Sequence, residues 1–303
     1  MNYIYFFLII IFLNSNIIYG RNNIEYLIIF DDKLAEAANQ ISEIYNDPSS
    51  SYHLETQIVP ISNIVLDASN KSAQIRSYIL EQINDNLNLQ FLLLLGDEKS
   101  IPPIKKNQIP SDDFFSSNEE HTGLPQLATG RIPAKEVEEA NQFSKNLYNY
   151  LINPNLESWR NTFLFIADDQ FKNQNYNKSE LTHTIYSDSL IFSKYNNQDE
   201  KSLNELGYII TEYGIDYQAY ESNNGLSHPD MTNNVIKSIN NGSAIINYIG
   251  HGDTEKFSEE IILSGSRDLP LINIKENKLP IWIAGTCSFG IYEIDDNFLE
   301  KLL

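Results

Sequence analysis

The sequence predicts an α/β protein with mostly parallel sheets, built from two successive series of β/α units. Two observations predict it. Short continuous apolar runs, such as YLIIF at 26–30 and FLFIA at 163–167, are each closed by aspartates. Strands buried on both faces have this pattern, because helices cover the two faces of a parallel sheet. Between the runs, apolar residues recur at helical spacing, and this alternation of strand and helix is typical of α/β folds.

The first series occupies the N-terminal half of the chain. Its predicted strands are 26–30, 54–61, 89–95 and 127–132, and its predicted helices are 34–45, 73–83 and 134–151. We expect the last helix to start next to Pro133, with acidic residues near its positive end. The segment 101–125 is rich in Pro, Ser, Asp and Asn, which predicts a long surface loop.

The second series follows a break at Asn153-Pro154-Asn155. Its predicted strands are 163–167, 244–249 and 281–284, with another strand and a turn within 208–220, and its predicted helices are 181–192 and 229–240. The predicted organisation is a signal peptide at 1–20, an N-terminal α/β sub-domain at 21–152 and a second α/β sub-domain at 153–303. The chain stops inside a predicted helix, so we expect it to be part of a longer protein.

Composition limits the kinds of partner. The chain has 303 residues, 42 % of them hydrophobic, and a formal net charge of −20. A chain this acidic lacks the basic face that nucleic acid requires, and it does not favour anionic lipid. Its charge fits a solvated acidic surface, and a preference for basic substrates is the alternative.

The N-terminus carries an apolar run at 3–13 that ends in a polar stretch before Gly20. This is the pattern of a secretory signal peptide, although basic residues are missing from its start. The run is too short to span a bilayer, and no later run is longer, so we expect an exported chain without a transmembrane span. The chain has one cysteine, Cys287, and therefore no internal disulfide.

His251 and Cys287 each follow the end of a predicted apolar strand. Ligands of open α/β sheets bind beyond the carboxyl ends of the strands, so neighbouring strands would bring both side chains into one crevice. An imidazole there can take the proton of a thiol and return it to a leaving amine. We expect Gly250 and Gly252 to allow close backbone approach and unusual dihedrals, and the N–H groups of Gly252 and Cys287 to form an oxyanion hole.

The same residues allow other interpretations. His251 can be a histidine in a glycine-rich turn, and Cys287 a small buried apolar residue. A third alternative is a metal site formed by His251, Asp253 and Cys287, which the lack of further clustered Cys or His disfavours.

Five short motifs occur in an order that resembles the gingipain-like cysteine peptidases, and within them the branch that serves as the sortase of the type IX secretion system. They are SDDFF at 111–115, TGRIP at 129–133, IADD at 166–169, NYIGHG at 247–252 and TCSF at 286–289. The resemblance covers most of the chain after the predicted signal. It implies a caspase-like α/β fold with two sub-domains, the second carrying the catalytic pair.

The resemblance also implies roles for individual residues. Cys287 would be the nucleophile and His251 the base, with Asp168 or Asp169 orienting the imidazole. Glu180, three residues before a histidine of the next helix, would line the primary substrate pocket and favour a basic side chain. No cofactor is required, and Ca²⁺ is expected as an optional structural ion, which the acidic loops permit.

These implications give two expectations of different class. The first is an exported cysteine endopeptidase acting through a thioester, on the cell surface or outside the cell. It would be a sortase that removes C-terminal signals from cargo and contacts outer-membrane secretion components, or a secreted degradative protease. The second is a non-catalytic domain of the same fold that binds partners, which would not need both Cys287 and His251.

Overall fold

The computed structural model describes residues 23–50, 52–107, 109–119, 123–169, 181–192, 207–222, 225–274, 278–294 and 297–302. The predicted signal peptide at 1–20 lies outside these ranges. Within them, every helix is too short or too polar to cross a bilayer.

The first half of the chain forms a parallel four-stranded sheet of order β2-β1-β3-β6. A hairpin of β4 and β5 stands outside it. The elements are β1 (Tyr26–Phe30), α1 (Ala35–Asn46), β2 (Thr56–Pro60), α2 (Lys71–Asp85), β3 (Phe91–Leu95), β4 (Ile104–Lys106), β5 (Ile109–Ser111), β6 (Ala128–Ile132) and α3 (Val137–Leu151).

Alternate residues of the strands fill two different cores. Leu27 and Ile29 of β1 pack with α2 on one face of the sheet. Ile28 and Phe30 pack with α1 and α3 on the other. Both faces are thus covered, which is why the strands are continuous apolar runs. Each fully buried aliphatic side chain contributes about 1.5–3 kcal/mol.

The second half forms another parallel four-stranded sheet, of order β14-β11-β7-β8. Its two faces are covered mainly by α5 and by α4. The elements are β7 (Thr162–Ala167), α4 (Leu181–Phe192), β8 (Tyr208–Tyr213), β9 (Tyr220–Ser222), β10 (Gly225–Ser227), α5 (Pro229–Asn241), β11 (Ile245–Ile249), β12 (Lys256–Phe257), β13 (Leu263–Ser264), α6 (Gly265–Asp268), β14 (Ile281–Gly285) and α7 (Phe298–Leu302).

Two details of the first half differ from the sequence prediction. Helix α3 begins at Val137 rather than next to Pro133, because Glu136 and Glu139 form a reciprocal capping box that fixes the start. The segment 101–125 is not simply a surface loop. It contains the β4–β5 hairpin, and its Phe115 is fully buried in the core over α2.

Polar contacts join the two halves close to the end of β14. The Tyr292 hydroxyl donates a hydrogen bond to Asp112 Oδ1 at 3.1 Å, and the Arg131 guanidinium lies 4.8 Å from the centre of the Tyr292 ring. Lys105 Nζ is 2.6 Å from Glu293 Oε1. The loop after β14 is therefore held against the first half.

Candidate active site

The carboxyl ends of β7, β11 and β14 meet at one edge of the second sheet. Ile249, the last residue of β11, pairs with Ala167 at the end of β7 and with Gly285 at the end of β14. The residues that follow these three ends therefore emerge side by side. They are Asp168-Asp169, Gly250-His251 and Thr286-Cys287.

His251 and Cys287 each lie two residues beyond the paired ends of β11 and β14. The pairing continues past the strands, since the Gly250 N–H donates to the Gly285 carbonyl at 3.2 Å. Two residues after Gly250, a Cβ on Gly252 would lie 2.5 Å from Thr286 Oγ1. The two loops therefore contact each other directly beside His251 and Cys287. This agrees with the expectation that neighbouring strands bring the two residues to one crevice beyond their carboxyl ends.

The backbone of His251 is held from two sides. Its N–H donates to Asp168 Oδ2 at 3.0 Å, and its carbonyl accepts hydrogen bonds from the Tyr248 hydroxyl and from the Ser258 N–H. The His251 ring makes an edge-to-face contact with the His183 ring at a centroid distance of 5.3 Å. These contacts fix the turn that presents the imidazole.

Gly250 is required by a close approach. A Cβ at this position would lie 2.3 Å from the Asp168 Cβ and 2.6 Å from the Tyr248 hydroxyl. Neither Gly250 nor Gly252 has a positive φ, so their expected unusual dihedrals are not observed. Glycine is needed at both positions because the absence of a side chain leaves space for the neighbouring loop.

Cys287 is exposed, which removes the interpretation of a small buried apolar residue. The next residue, Ser288, has φ +57°, a left-handed conformation that costs a non-glycine residue about 1–2 kcal/mol. Phe289 then anchors the loop, being 4 % exposed with its ring 4.8 Å from that of Phe257. The thiol thus sits on a sharp turn that is tied to the core.

The amides expected to form an oxyanion hole are the backbone N–H groups of Gly252 and Cys287. Within the part of the chain that the structure describes, neither the Gly252 N–H nor the Cys287 N–H donates a hydrogen bond to another residue. Free donors beside an exposed thiol are what stabilisation of a developing oxyanion needs.

Asp168 and Asp169 have different partners. Asp168 is 1 % exposed, and its bond to His251 is with the backbone N–H rather than with the imidazole. Burial raises the pKa of Asp168 to about 8, and the charges of Glu260 and Asp169 add to that rise, whereas the hydrogen bond from His251 lowers it. Asp169 Oδ1 lies 3.2 Å from Nε2 of His228. The orientation of the imidazole by either aspartate stays a prediction.

Glu180, the expected pocket residue, lies outside the described residues.

The metal alternative can be examined, because His251, Asp253 and Cys287 are all in the described ranges. They do not bring three ligand atoms together, and the cluster that these ranges do contain is Asp168, Asp169 and Glu260. The structure gives no support to a metal site at the thiol.

Several residues near the site carried no assigned role in the sequence. Asp112 and Arg131 occur within two of the quoted motifs, and the structure pairs them beneath Tyr292. His228 and Glu260 are buried beside the two aspartates, and nothing in the local pattern marks them. The sequence does single out His183, because it lies three residues after Glu180, the expected pocket residue.

A comparison with models of protein families decides the family. The model of peptidase family C25 matches residues 19–303. The chain belongs to peptidase family C25. It therefore belongs to a family of cysteine peptidases, as its motifs predict.

Solved structures show the same fold. The chain is similar to the Arg-specific cysteine proteinase gingipain R, with a TM-score of 0.69 and 19 % identity over 92 % of this chain and 58 % of that chain. A complex of the RgpB pro- and mature domains from Porphyromonas gingivalis matches with a TM-score of 0.68 and 19 % identity, over 91 % of this chain and 59 % of that one. The predicted gingipain-like α/β fold is confirmed. A comparison with curated protein sequences found no match.

Proposed function

We propose that this C25 chain is a cysteine endopeptidase in which Cys287 is the nucleophile and His251 the base. The observation that supports it best is their equivalent position, two residues past the paired ends of β11 and β14. A non-catalytic binding domain would not need an exposed thiol on a strained turn next to a braced histidine. That geometry is costly, and costly geometry clusters at functional sites.

The proposed reaction uses groups that the chain supplies. The imidazole of His251 takes the proton of the Cys287 thiol, and the thiolate adds to the carbonyl carbon of the scissile peptide bond. The N–H groups of Gly252 and Cys287 stabilise the resulting oxyanion. His251 then gives its proton to the leaving amine as the C–N bond breaks, which leaves a thioester on Cys287.

The thioester can be resolved by water or by an amine. Water gives hydrolysis, as in a secreted degradative protease. An amine gives transfer, as in a sortase that removes C-terminal signals from cargo proteins. We propose the sortase role first, because the five motifs resemble the sortase branch. The enzyme would act at the cell surface, next to outer-membrane secretion components. Degradation is the second candidate.

We further propose cleavage after a basic residue. The chain has a net charge of −20, and Glu180 is the acidic candidate for the primary pocket. An Arg-specific relative of the same fold is consistent with this preference. Peptides with Arg, Lys or Ala before the scissile bond test it, and equal cleavage of all three would contradict it.

Iodoacetamide alkylation of Cys287 at pH 6 tests the catalytic pair. An isolated thiol with a pKa of about 8.5 is almost wholly protonated at this pH and reacts slowly. Wild-type protein should react at least tenfold faster than His251→Ala. His53→Ala is the matched control, because His53 is a half-exposed histidine near Glu55 in the first half of the chain.

Peptide cleavage gives the second measurement. Cys287→Ala should abolish it, and His251→Ala should lower kcat by about 10²–10⁴. Adding a small amine nucleophile then distinguishes a sortase from a degradative protease. A sortase transfers the acyl group of the thioester to the amine, and the resulting amide is heavier than the hydrolysis product. If His251→Ala leaves both alkylation and cleavage unchanged, the peptidase proposal is wrong.

A further inference from the structure

Three carboxyl groups meet beneath the turn that carries His251. Oxygens of Asp168, Asp169 and Glu260 all lie within 4.8 Å of one another. Asp168 is 1 % and Glu260 4 % exposed, and the Asp169 side chain is 10 % exposed. Three carboxylates this close resist full ionisation inside a protein, because the surroundings screen their repulsion far less than water does. The cluster therefore needs a counter-charge or a proton.

The elements around Asp169 supply one counter-charge. His228, directly before α5, is fully buried, and its Nε2 lies 3.2 Å from Asp169 Oδ1. Burial alone would lower the pKa of His228, but its hydrogen bond and charge interaction with Asp169 raise it. The loop after β8 faces Asp169 through Gly214, which carries no charge. His228 and Asp169 thus form a buried ion pair, and Asp168 and Glu260 remain to be balanced.

The turn after β11 meets Asp168 through its backbone. The Tyr248 hydroxyl donates to the His251 carbonyl, and the His251 N–H donates to Asp168 Oδ2 at 3.0 Å. The other oxygen, Asp168 Oδ1, is buried and has no hydrogen-bond partner among the described residues. On the loop after β12, Glu260 Oε2 lies 3.4 Å from the Ser258 hydroxyl. A proton between the two carboxyl groups would give Oδ1 a partner, because a protonated carboxyl group donates to an ionised one.

We propose that Asp168 and Glu260 share one proton, and that Glu260 is thereby a positioning residue for His251. Asp168 keeps Oδ2 on the His251 N–H while Oδ1 takes part in the acid pair, so the pair ties the loop after β12 to the turn. Loss of the proton places two negative charges side by side, and their repulsion moves Asp168 away from the turn. Glu260 acts through Asp168 and touches no reacting atom.

The pair gives the turn a dependence on pH. Burial raises the pKa of Asp168 to about 8, and the charges of Glu260 and Asp169 add to that rise, whereas the hydrogen bond from His251 lowers it. Burial also raises the pKa of Glu260. In the unfolded chain these groups lose their protons near about pH 4. The stabilisation from the shared proton is therefore complete below that pH and is lost as the pH rises through about 8.

Thermal unfolding between about pH 6 and pH 9 tests the shared proton. It is measured in a Cys287→Ala chain, which cannot cleave itself, and in EDTA, so that no cation replaces the proton. We expect the Tm of this parent to fall by about 5 °C over the range. Glu260→Gln should remove at least half of the fall, because its amide donates to Asp168 at every pH. Glu259→Gln is the matched control, because Glu259 is exposed and should behave like the parent.

The pH profile of peptide cleavage tests the positioning role, and this part alone rests on the proposed peptidase activity. In the chain that keeps Cys287, kcat/KM of Glu260→Gln should hold its value to about one pH unit higher than that of the parent on the alkaline side. A role in packing alone would change kcat/KM by the same factor at every pH.

The outcomes are distinguishable. If the Tm of Glu260→Gln falls as steeply as that of the parent, no proton is shared and the proposal is wrong. If the alkaline limb of cleavage does not move, Glu260 does not position His251. An inactive parent that still shows the Tm difference supports the shared proton and contradicts only the peptidase activity. Circular dichroism checks folding, and Asp168→Asn, which also supplies a permanent donor, decides the matter should Glu260→Gln fail to fold.

Discussion

Replacing Arg131 should weaken both the fold and the support of the nucleophile loop. Its guanidinium donates two hydrogen bonds to the Asp112 carboxylate, at 2.7 and 2.8 Å, and further bonds to the carbonyls of Gly96 and Ile101. Its upper face covers the Tyr292 ring. The two charged side chains are only 5 % and 14 % exposed, so water screens them little.

The size of the effect follows from this burial. Arg131→Met leaves the Asp112 carboxylate buried without its cation, and losing one partner of such a pair costs about 3–5 kcal/mol. Arg131→Lys keeps the charge but loses the two-pronged geometry, for which we expect a loss of about 2 kcal/mol. Tyr292→Phe removes one hydrogen bond to a carboxylate and should cost about 1.5 kcal/mol.

Urea unfolding monitored by circular dichroism measures these losses of unfolding free energy. Peptide cleavage by the same variants shows whether the loop that carries Cys287 is still held in place. Lys105→Met is the matched control, because the Lys105–Glu293 pair also joins the two halves but is more exposed than the Arg131–Asp112 pair, at 46 % and 24 %. A pair of that kind contributes about 0–1 kcal/mol. The reasoning is refuted if Arg131→Met costs no more than Lys105→Met, or if Arg131→Met and Arg131→Lys lose equal stability.

Three further predictions concern the two active-site loops. Gly252→Ala puts a methyl group 2.5 Å from Thr286 Oγ1 and should lower cleavage about tenfold, and Thr286→Ala in the same chain should restore part of it. Absence of any rescue would show that this clash is not the cause. Ser288→Gly should raise the unfolding free energy by about 0.5 kcal/mol in urea titration, whereas Ser288→Val should lower it. Equal effects would contradict the strain. His183→Phe preserves the ring contact with His251 and should keep kcat within about threefold, while His183→Ala lowers it further; identical kcat values would exclude a packing role.

The sequence predicts local features of the fold well, because periodicity and turn residues are local signals. The parallel strands, the helices and the common exit of His251 and Cys287 follow from apolar runs and the residues that close them. The start of α3 was misplaced because Pro133 is a common helix-start signal, whereas a glutamate capping box is an uncommon one.

Contacts between distant segments are not predictable in this way. Tyr292 and Asp112 are 180 positions apart, and His228 and Asp169 are 59 apart. No spacing rule relates residues across such distances. The role of Arg131 depends on Asp112 and Tyr292, which local patterns do not relate to it, although Arg131 itself lies in the TGRIP motif.

The aromatic cluster under the site has an evolutionary consequence. Phe257 ends β12, the short strand that follows His251, and the centre of its ring lies 4.1 Å from that of Tyr248, 4.8 Å from that of Phe289 and 5.3 Å from that of Phe298. The segments that support His251 and Cys287 therefore pack into a single aromatic cluster. A change in the size of any member would move both catalytic residues together, so relatives should exchange these positions in compensating sets and seldom singly.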